Sequence, residues 1–286
     1  MGKINKHMSE AERRQVRENA QQRAQEALDR LGQGVRGVWE SERWEQWLRS
    51  LGRFHEYSLN NTLLIAMQMP TATRVASFRS WKRDFNRYVR KGERGIEVLV
   101  PMLVKERGED DTDEEHRRLV GFRVGHVFDV SQTEGEPLPT IADEVSTGFS
   151  RCEAVLEAVR TVSKYPVTFT TSLPEGTNGA FRRGESIAIR ANMTEGQTVK
   201  TALHELAHSR LHDDSEALPD RAMREVQAEG VAYAVSAALG LDTSGYSFGY
   251  VASWAAGKTD DEMRACLQVV RDAAKAMIAD LQAAMA

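Results

Sequence analysis

Between Thr198 and His212 the chain reads Thr-Val-Lys-Thr-Ala-Leu-His-Glu-Leu-Ala-His-Ser-Arg-Leu-His, with His204 and His208 four residues apart. On a helix that spacing projects both imidazoles from one face, one turn apart, where two neutral rings grip one zinc ion from the same side. Glu205 faces the same cleft and can act on a water held there. Two partly buried helix histidines beside a surface glutamate would spell the same letters, so the surrounding elements must decide. A catalytic zinc needs a third protein ligand and an open fourth position. Glu225, Glu229, His212 and Asp213 compete for the third place. His212 continues the four-residue series but lies about 12 Å from His204 along a helix axis, too far to share one ion. It reads instead as packed beside the ligands or facing solvent.

The flanking sequence supplies the elements that would position these groups. Ser186-Ile-Ala-Ile-Arg190 alternates like a strand, and an extended substrate could pair with it. Thr194-Glu-Gly-Gln197 has the capping-box form that opens a helix. Pro219 suits the first turn of a second helix running to about Gly240, which carries Glu225 and Glu229 on one face. Phe149 to Lys164 reads as a helix, Val167 to Thr171 as a strand, and Asp260 to Met285 as a closing amphipathic helix. Tyr233 is in reach as an oxyanion donor but reads as core.

The N-terminal half has a different character. Residues 1–14 are polar and expected to be disordered, and a helix from Arg13 to Leu31 should end near Gly32, Gly34 and Gly37. Trp44, Trp47, Leu48 and Leu51 form a helical packing face, and Tyr57 to Gln68 is a helix stopped by Pro70. Arg79, Lys82, Arg83, Arg87, Arg90, Lys91 and Arg94 follow, opposed only by Asp84 and Glu93, with Phe78, Trp81, Phe85 and Tyr88 interleaved. Basic groups that track phosphates beside aromatic faces make a single-strand binding surface. An amphipathic element with core aromatics and solvated charges has the same composition, and composition alone slightly favours it. A strand from Ile96 to Val100 closes at Pro101, residues 105–118 form an acidic flexible loop, and Val120 to Val130 resumes as strand. Ser131 to Pro139 reads as turn-rich linker.

With 286 residues, 41% hydrophobic and 28% charged, the composition is that of a soluble globular protein. A net charge of −4 gives no global attraction to nucleic acid, so such binding would need a local patch. No run is long enough to span a membrane, and the first residues lack a signal-peptide core, which points to the cytoplasm. Cys152 and Cys266 lack motif spacing and read as reduced core residues. The expected class is α+β: a small N-terminal domain over 15–136, a linker over 137–144, and a second domain over 145–286.

Several segments then resemble the ArdC-type antirestriction family: Ser58-Leu-Asn-Asn-Thr-Leu-Leu-Ile-Ala-Met-Gln68, Ser80-Trp81, Val89-Arg-Lys-Gly-Glu-Arg-Gly-Ile96 and Val127-Phe-Asp-Val-Ser-Gln-Thr-Glu-Gly135. The second half resembles the ImmA/IrrE metallopeptidases, where a glutamate-bearing helix follows the histidine motif. The resemblance implies a single-stranded-DNA-binding α+β domain, then a zincin-like domain of the gluzincin kind, protecting incoming plasmid or phage DNA from host restriction. It implies nucleic-acid contact by Lys82, Arg83, Arg87, Arg90, Lys91 and Arg94, with Trp81 or Tyr88 stacking. It implies one Zn2+ ion, with another divalent ion such as Mn2+ as the alternative. His204, His208 and Glu225 would hold the ion, Glu205 would be the base, and Glu229 would orient a histidine; the reverse assignment of the two glutamates stays open. The partners would be single-stranded DNA and an unidentified protein substrate. A regulatory protease acting on a DNA-bound repressor, and a DNA shield without activity, are the alternatives.

Overall fold

The structure, a computed structural model, describes residues 10–106, 116–138, 151–213, 218–241, 243, 246 and 248–286. The start of the chain, most of the acidic loop and linker residues 139–144 lie outside these. The chain is α+β and divides into two compact units, one of residues 1–34 and 63–136, the other of 35–62 and 137–286. Residues 35–62, read from sequence as part of the N-terminal domain, therefore pack with the C-terminal half.

In the first unit, α1 (Glu10–Gly37) runs through Gly32 and Gly34 instead of ending there. A Cβ at Gly34 would lie 2.4 Å from the sulfur of Met67, an exposed and flexible side chain that would have to move aside, so this glycine marks a close approach rather than a helix end. Strand β1 (Val75–Ser77) pairs with β4 (His116–Asp129), which pairs with β3 (Ile96–Glu106), all antiparallel. Pro101 does not end β3. That strand is a sheet edge, where a missing N–H is tolerated. Helix α4 (Phe78–Phe85) leads into β2 (Arg87–Val89), which pairs with β5 (Thr133–Gly135). The expected linker after Val130 is thus partly structure: a 3-10 turn, Val130–Gln132, followed by β5.

Asp129 is the hub of this unit. Almost fully buried, it accepts the backbone N–H groups of Thr73 (2.7 Å), Arg74 (3.0 Å) and Ser131 (3.0 Å). Burial alone would raise its pKa; those N–H donors outweigh it and hold the carboxylate below its usual range. Gln132 closes the turn, accepting from the Asp129 N–H at 2.9 Å and donating to the Arg94 carbonyl at 2.8 Å. Asp129 ties residues 73–74 to the 127–135 segment, and Gln132 ties that segment to 89–96, so two of the segments distinctive in sequence meet here.

In the second unit, α2 (Ser41–Arg53) buries Trp44, Trp47, Leu48 and Leu51. α3 (Leu59–Gln68) follows, and Thr62 accepts the Trp47 indole N–H at 3.3 Å. Helix α5 (Arg151–Val162) precedes a sheet in which β8 (Ser186–Arg190) is central, parallel to β6 (Val167–Thr170) and antiparallel to β7 (Gly179–Arg182). β7 had not been anticipated. α6 (Glu195–Leu211) starts from Thr194, whose hydroxyl accepts the Gln197 N–H at 3.3 Å; the Gln197 side chain bonds Thr201 rather than completing the box. α7 (Arg221–Ala238) starts from Asp220, which accepts the Met223 N–H at 2.7 Å, so Pro219 lies just outside the helix. A short α8 (Val251–Ala255) and α9 (Asp260–Met285) complete the unit.

α7 is the axis of this core. A Cβ at Gly52 on α2 would lie 2.5 Å from the Ala234 carbonyl oxygen and 3.1 Å from the Ala238 nitrogen, both α7 backbone. A Cβ at Gly230 would press on Trp44 at 3.1 Å and on Val270 of α9 at 3.3 Å. The helix carrying Glu225 and Glu229 is thus clamped from behind by elements from both ends of the chain. Gly52→Val forces the α2–α7 seam apart, because backbone cannot yield as a flexible side chain can. It should cost about 1–3 kcal/mol, read as a lower denaturant midpoint with an unchanged slope.

Candidate metal centre and nucleic-acid face

α6 delivers two imidazoles to one point. The Nε2 atoms of His204 and His208 lie 3.0 Å apart, and Glu225 Oε2 from α7 stands 3.4 Å from the first and 3.6 Å from the second. Ligands about 2.0–2.1 Å from one tetrahedral ion stand about 3.3 Å apart, so these donor atoms fit a single divalent cation. Two imidazoles and a carboxylate suit zinc, and also neighbouring first-row metals. Glu229 is placed differently. Its Oε2 lies 3.0 Å from Nδ1 of His204, on the far side of the ring from the triad, and its Oε1 lies 3.5 Å from Lys200 Nζ. The approach to Nδ1 is an ion-pair contact out of line with the ring N–H, since that nitrogen has no partner in hydrogen-bond geometry.

Glu205 is buried under the start of β7, where the Phe181 backbone N–H donates to it. Gly179 permits this approach, because a Cβ there would lie 2.5 Å from Thr201 Cγ2 and 2.7 Å from Glu205 Oε1. Burial raises the Glu205 pKa against the pull of His204 and His208, as suits a carboxyl that exchanges protons. For His204, burial works against protonation, yet Glu225 and Glu229 outweigh it and hold the ring at about 10. Glu225 is held well below the usual carboxylate range, first by its contacts with His204 and His208. Negative charge is thus gathered where a cation would sit.

His212 lies outside the triad and is buried. Its Nδ1 is 3.0 Å from Nδ1 of His208, and its Nε2 is 3.1 Å from Gln227 Oε1. A bare Nε2 on His208 puts that ring's proton on Nδ1, donating to His212. The His212 proton then sits on Nε2 and donates to Gln227. Burial depresses the His212 pKa, consistent with a neutral ring. His212 therefore orients His208, a member of the triad, and the same helical repeat that excluded it as a ligand placed it there. His212→Ala should weaken metal affinity about 10–100-fold, read by competition against a chromophoric chelator, while leaving the helical circular dichroism intact.

Of the remaining expectations around the cleft, the core reading of Tyr233 holds and the docking role of Ser186–Arg190 does not. Tyr233 is fully buried, donating to Glu45 at 3.0 Å and accepting from Arg49 at 3.3 Å, so it is not an oxyanion donor. β8 cannot take a substrate strand, because β6 and β7 occupy both its edges. β7 borders the cleft, and its outer edge pairs with no strand among the described residues.

In the first unit the basic block is split. Trp81 is fully buried, its indole N–H donating to the Phe128 carbonyl at 2.8 Å, so it is core and cannot stack on a base. Arg87 spends its donors on β5, on Thr133 Oγ1 at 2.8 Å and on the carbonyls of Thr133, Gly135 and Glu136; it pins β2 rather than facing a phosphate. Arg83 is paired with Asp84, and Arg90 with Glu93 and the Ser131 carbonyl. Lys82 sits 5.8 Å from the Tyr88 ring centroid. Lys91 and Arg94 are exposed and form no ion pair among the described residues. The exposed aromatics are Tyr88, at 48%, and Phe78, at 60%. Sequence reasoning left Phe78 out of the binding set. Its spacing shares the Trp81–Phe85 face, so the sequence carried no signal of its exposure; one edge of the ring meets Phe128, with centroids 6.3 Å apart.

The comparisons with known proteins agree with this layout. Residues 15–128 match the family described as the N-terminal domain of anti-restriction factor ArdC, and residues 164–239 match the IrrE N-terminal-like domain of the M78 peptidase type. Residues 15–128 are therefore an ArdC-type N-terminal domain, and residues 164–239 a peptidase-family domain of the IrrE-like type. A Bacillus anthracis protein described as uncharacterised is 27% identical, covering 74% of this chain and 43% of its own length. The chain thus spans less than half the length of that relative. The metal-free crystal structure of antirestriction protein ArdC from plasmid R388 overlays with a TM-score of 0.48 at 20% identity, covering 80% of this chain and 85% of that one. Its Mn(II)-bound structure gives 0.47 and 19% over the same shares. No helix among the described residues is long and apolar enough to cross a membrane.

Proposed function

We propose that the chain is an antirestriction protein whose first unit binds single-stranded DNA and whose second unit is a metal-dependent peptidase. The observation that carries the peptidase reading is the convergence of His204, His208 and Glu225 beside a buried carboxyl, Glu205. In this reading the first three hold one divalent ion, zinc by the chemistry of the set, and Glu229 orients His204. When bound, the ion supplies Lewis acidity toward a carbonyl and lowers the pKa of water. Glu205 takes a proton from the attacking water and returns it to the leaving amine, and its raised pKa suits both transfers. The outer edge of β7 offers backbone N–H and C=O groups to an extended substrate. A site serving structure alone has no use for a buried, proton-exchanging carboxyl beside its ligands, which disfavours a mere DNA shield.

On the first unit, Phe78 and Tyr88 supply exposed rings, and Lys82, Lys91 and Arg94 the accessible charge. Such a surface binds a strand through stacking and phosphate attraction with little regard for sequence.

Two experiments test these readings. Glu205→Gln should lower hydrolysis of a peptide pool by about 10²–10⁴-fold while metal content and oligonucleotide affinity stay at wild-type levels. Undiminished hydrolysis would remove Glu205 from the reaction. Single-strand affinity should fall steeply between low and high salt, and Phe78→Ala should weaken it by about 1–3 kcal/mol without changing the salt slope. Lys91→Gln with Arg94→Gln should flatten that slope. Binding indifferent to salt would count against phosphate contact.

A further inference from the structure

The cavity at the candidate metal centre has a second chemical character that neither the triad nor the base explains. It measures about 420 Å³, and arginines line it: Arg221 and Arg224 from the first turn of α7, and Arg183 just after β7. Arg221 is exposed and forms no ion pair among the described residues. Arg224 is half-buried, and its Nε is shielded from solvent with no hydrogen-bond acceptor. A guanidinium N–H left in that condition loses its water without compensation, a cost that an incoming acceptor removes. Both arginines precede Glu225 on the same helix, so an acceptor reaching them lies beside the triad.

We infer that this cavity is a subsite for an acidic side chain of an extended peptide, held by Arg221 and Arg224 while the peptide backbone lies along β7. The inference rests on the peptidase reading for its orientation. A carboxylate matches the planar guanidinium fork and supplies the acceptor that Arg224 Nε lacks. The outer edge of β7 pairs with no strand among the described residues, though its Phe181 N–H is given to Glu205. With Gly179 and Phe181 lining the same cavity, it favours a peptide over a nucleic-acid strand, since a phosphodiester backbone offers no ladder of N–H and C=O groups.

The test pairs binding with cleavage. Zinc-loaded Glu205→Gln protein is titrated by fluorescence anisotropy with an extended peptide carrying a central glutamate, and with its glutamine counterpart. The glutamate peptide should bind about 10–100-fold tighter, and Arg224→Gln and Arg221→Gln, made separately, should each reduce that preference with zinc content unchanged. Equal affinity for the two peptides, or a preference surviving in both variants, overturns the inference. So does displacement of the glutamate peptide by an oligonucleotide of equal charge with comparable affinity, which would assign the arginines to phosphate. Wild-type digestion of a peptide pool separates this subsite from the peptidase reading. Cleavage without enrichment of acidic residues near the cut overturns the subsite and leaves hydrolysis standing. Selective acidic binding without any cleavage upholds the subsite and removes hydrolysis.

Discussion

The second unit depends on holding three donor atoms, drawn from two helices, within a few ångströms of one another. Two of them come from a single helix face, and backbone geometry fixes their separation before any tertiary contact forms. The third does not. Glu225 reaches the pair only if α6 and α7 keep a set distance and rotation, and a shift of one ångström would take its oxygen out of reach of an ion. The rest of the unit serves this constraint. Gly52 and Gly230 admit α2 and α9 against the back of α7, and Gly179 lets β7 close over Glu205. Gln227, on the buried face of α7, reaches back to His212 on α6 and so couples the two helices a second time. At the centre Glu225 and Glu229 favour positive charge on His204, and the two rings hold Glu225 ionised, so the cluster is suited to a cation.

The first unit follows a different rule. Its small sheets cannot bury much on their own, and a single carboxylate organises the turns between them. With Asp129 accepting three backbone N–H groups, the end of β4, the approach to β1 and the turn into β5 are one cooperative network. The exposed rings and charges of the basic block sit on that scaffold. Many of the block's arginines belong to the scaffold itself, which is why its net positive charge overstates what solvent, or a strand of DNA, can meet.

How far the sequence was legible follows from how local each feature is. The histidine pair, the Thr194 cap and the closing helix were readable because they rest on spacing within one element. Glu225 against Glu229 was not decidable that way, since both lie on one face of α7 and only the rotation of that helix separates them. Trp81 misled because a tryptophan among arginines has the same letters whether it stacks on a base or fills a core; only β4, far away in sequence, supplies the Phe128 carbonyl that claims its indole. Arg87 misled similarly, its acceptors lying on β5. Gly34 looked like a stop because glycine both ends helices and lets them pack, and the difference was Met67. β7 escaped notice because it is short, and glycine and arginine at its ends dilute any alternation.

The second unit is discontinuous in the chain, its first piece ending at Thr62 and its second starting at Pro137. A growing polypeptide therefore delivers α2, with its tryptophan face, well before α7 and α9 exist to cover it. The strands of the first unit are synthesised in that interval and can pair at once, so order comes first to the middle of the chain. The candidate centre is not supported until Gly230 has met Trp44 and Val270, and Val270 lies on α9, far along the chain from α2. A chain cut before α9 carries the histidine motif without the packing that supports α7.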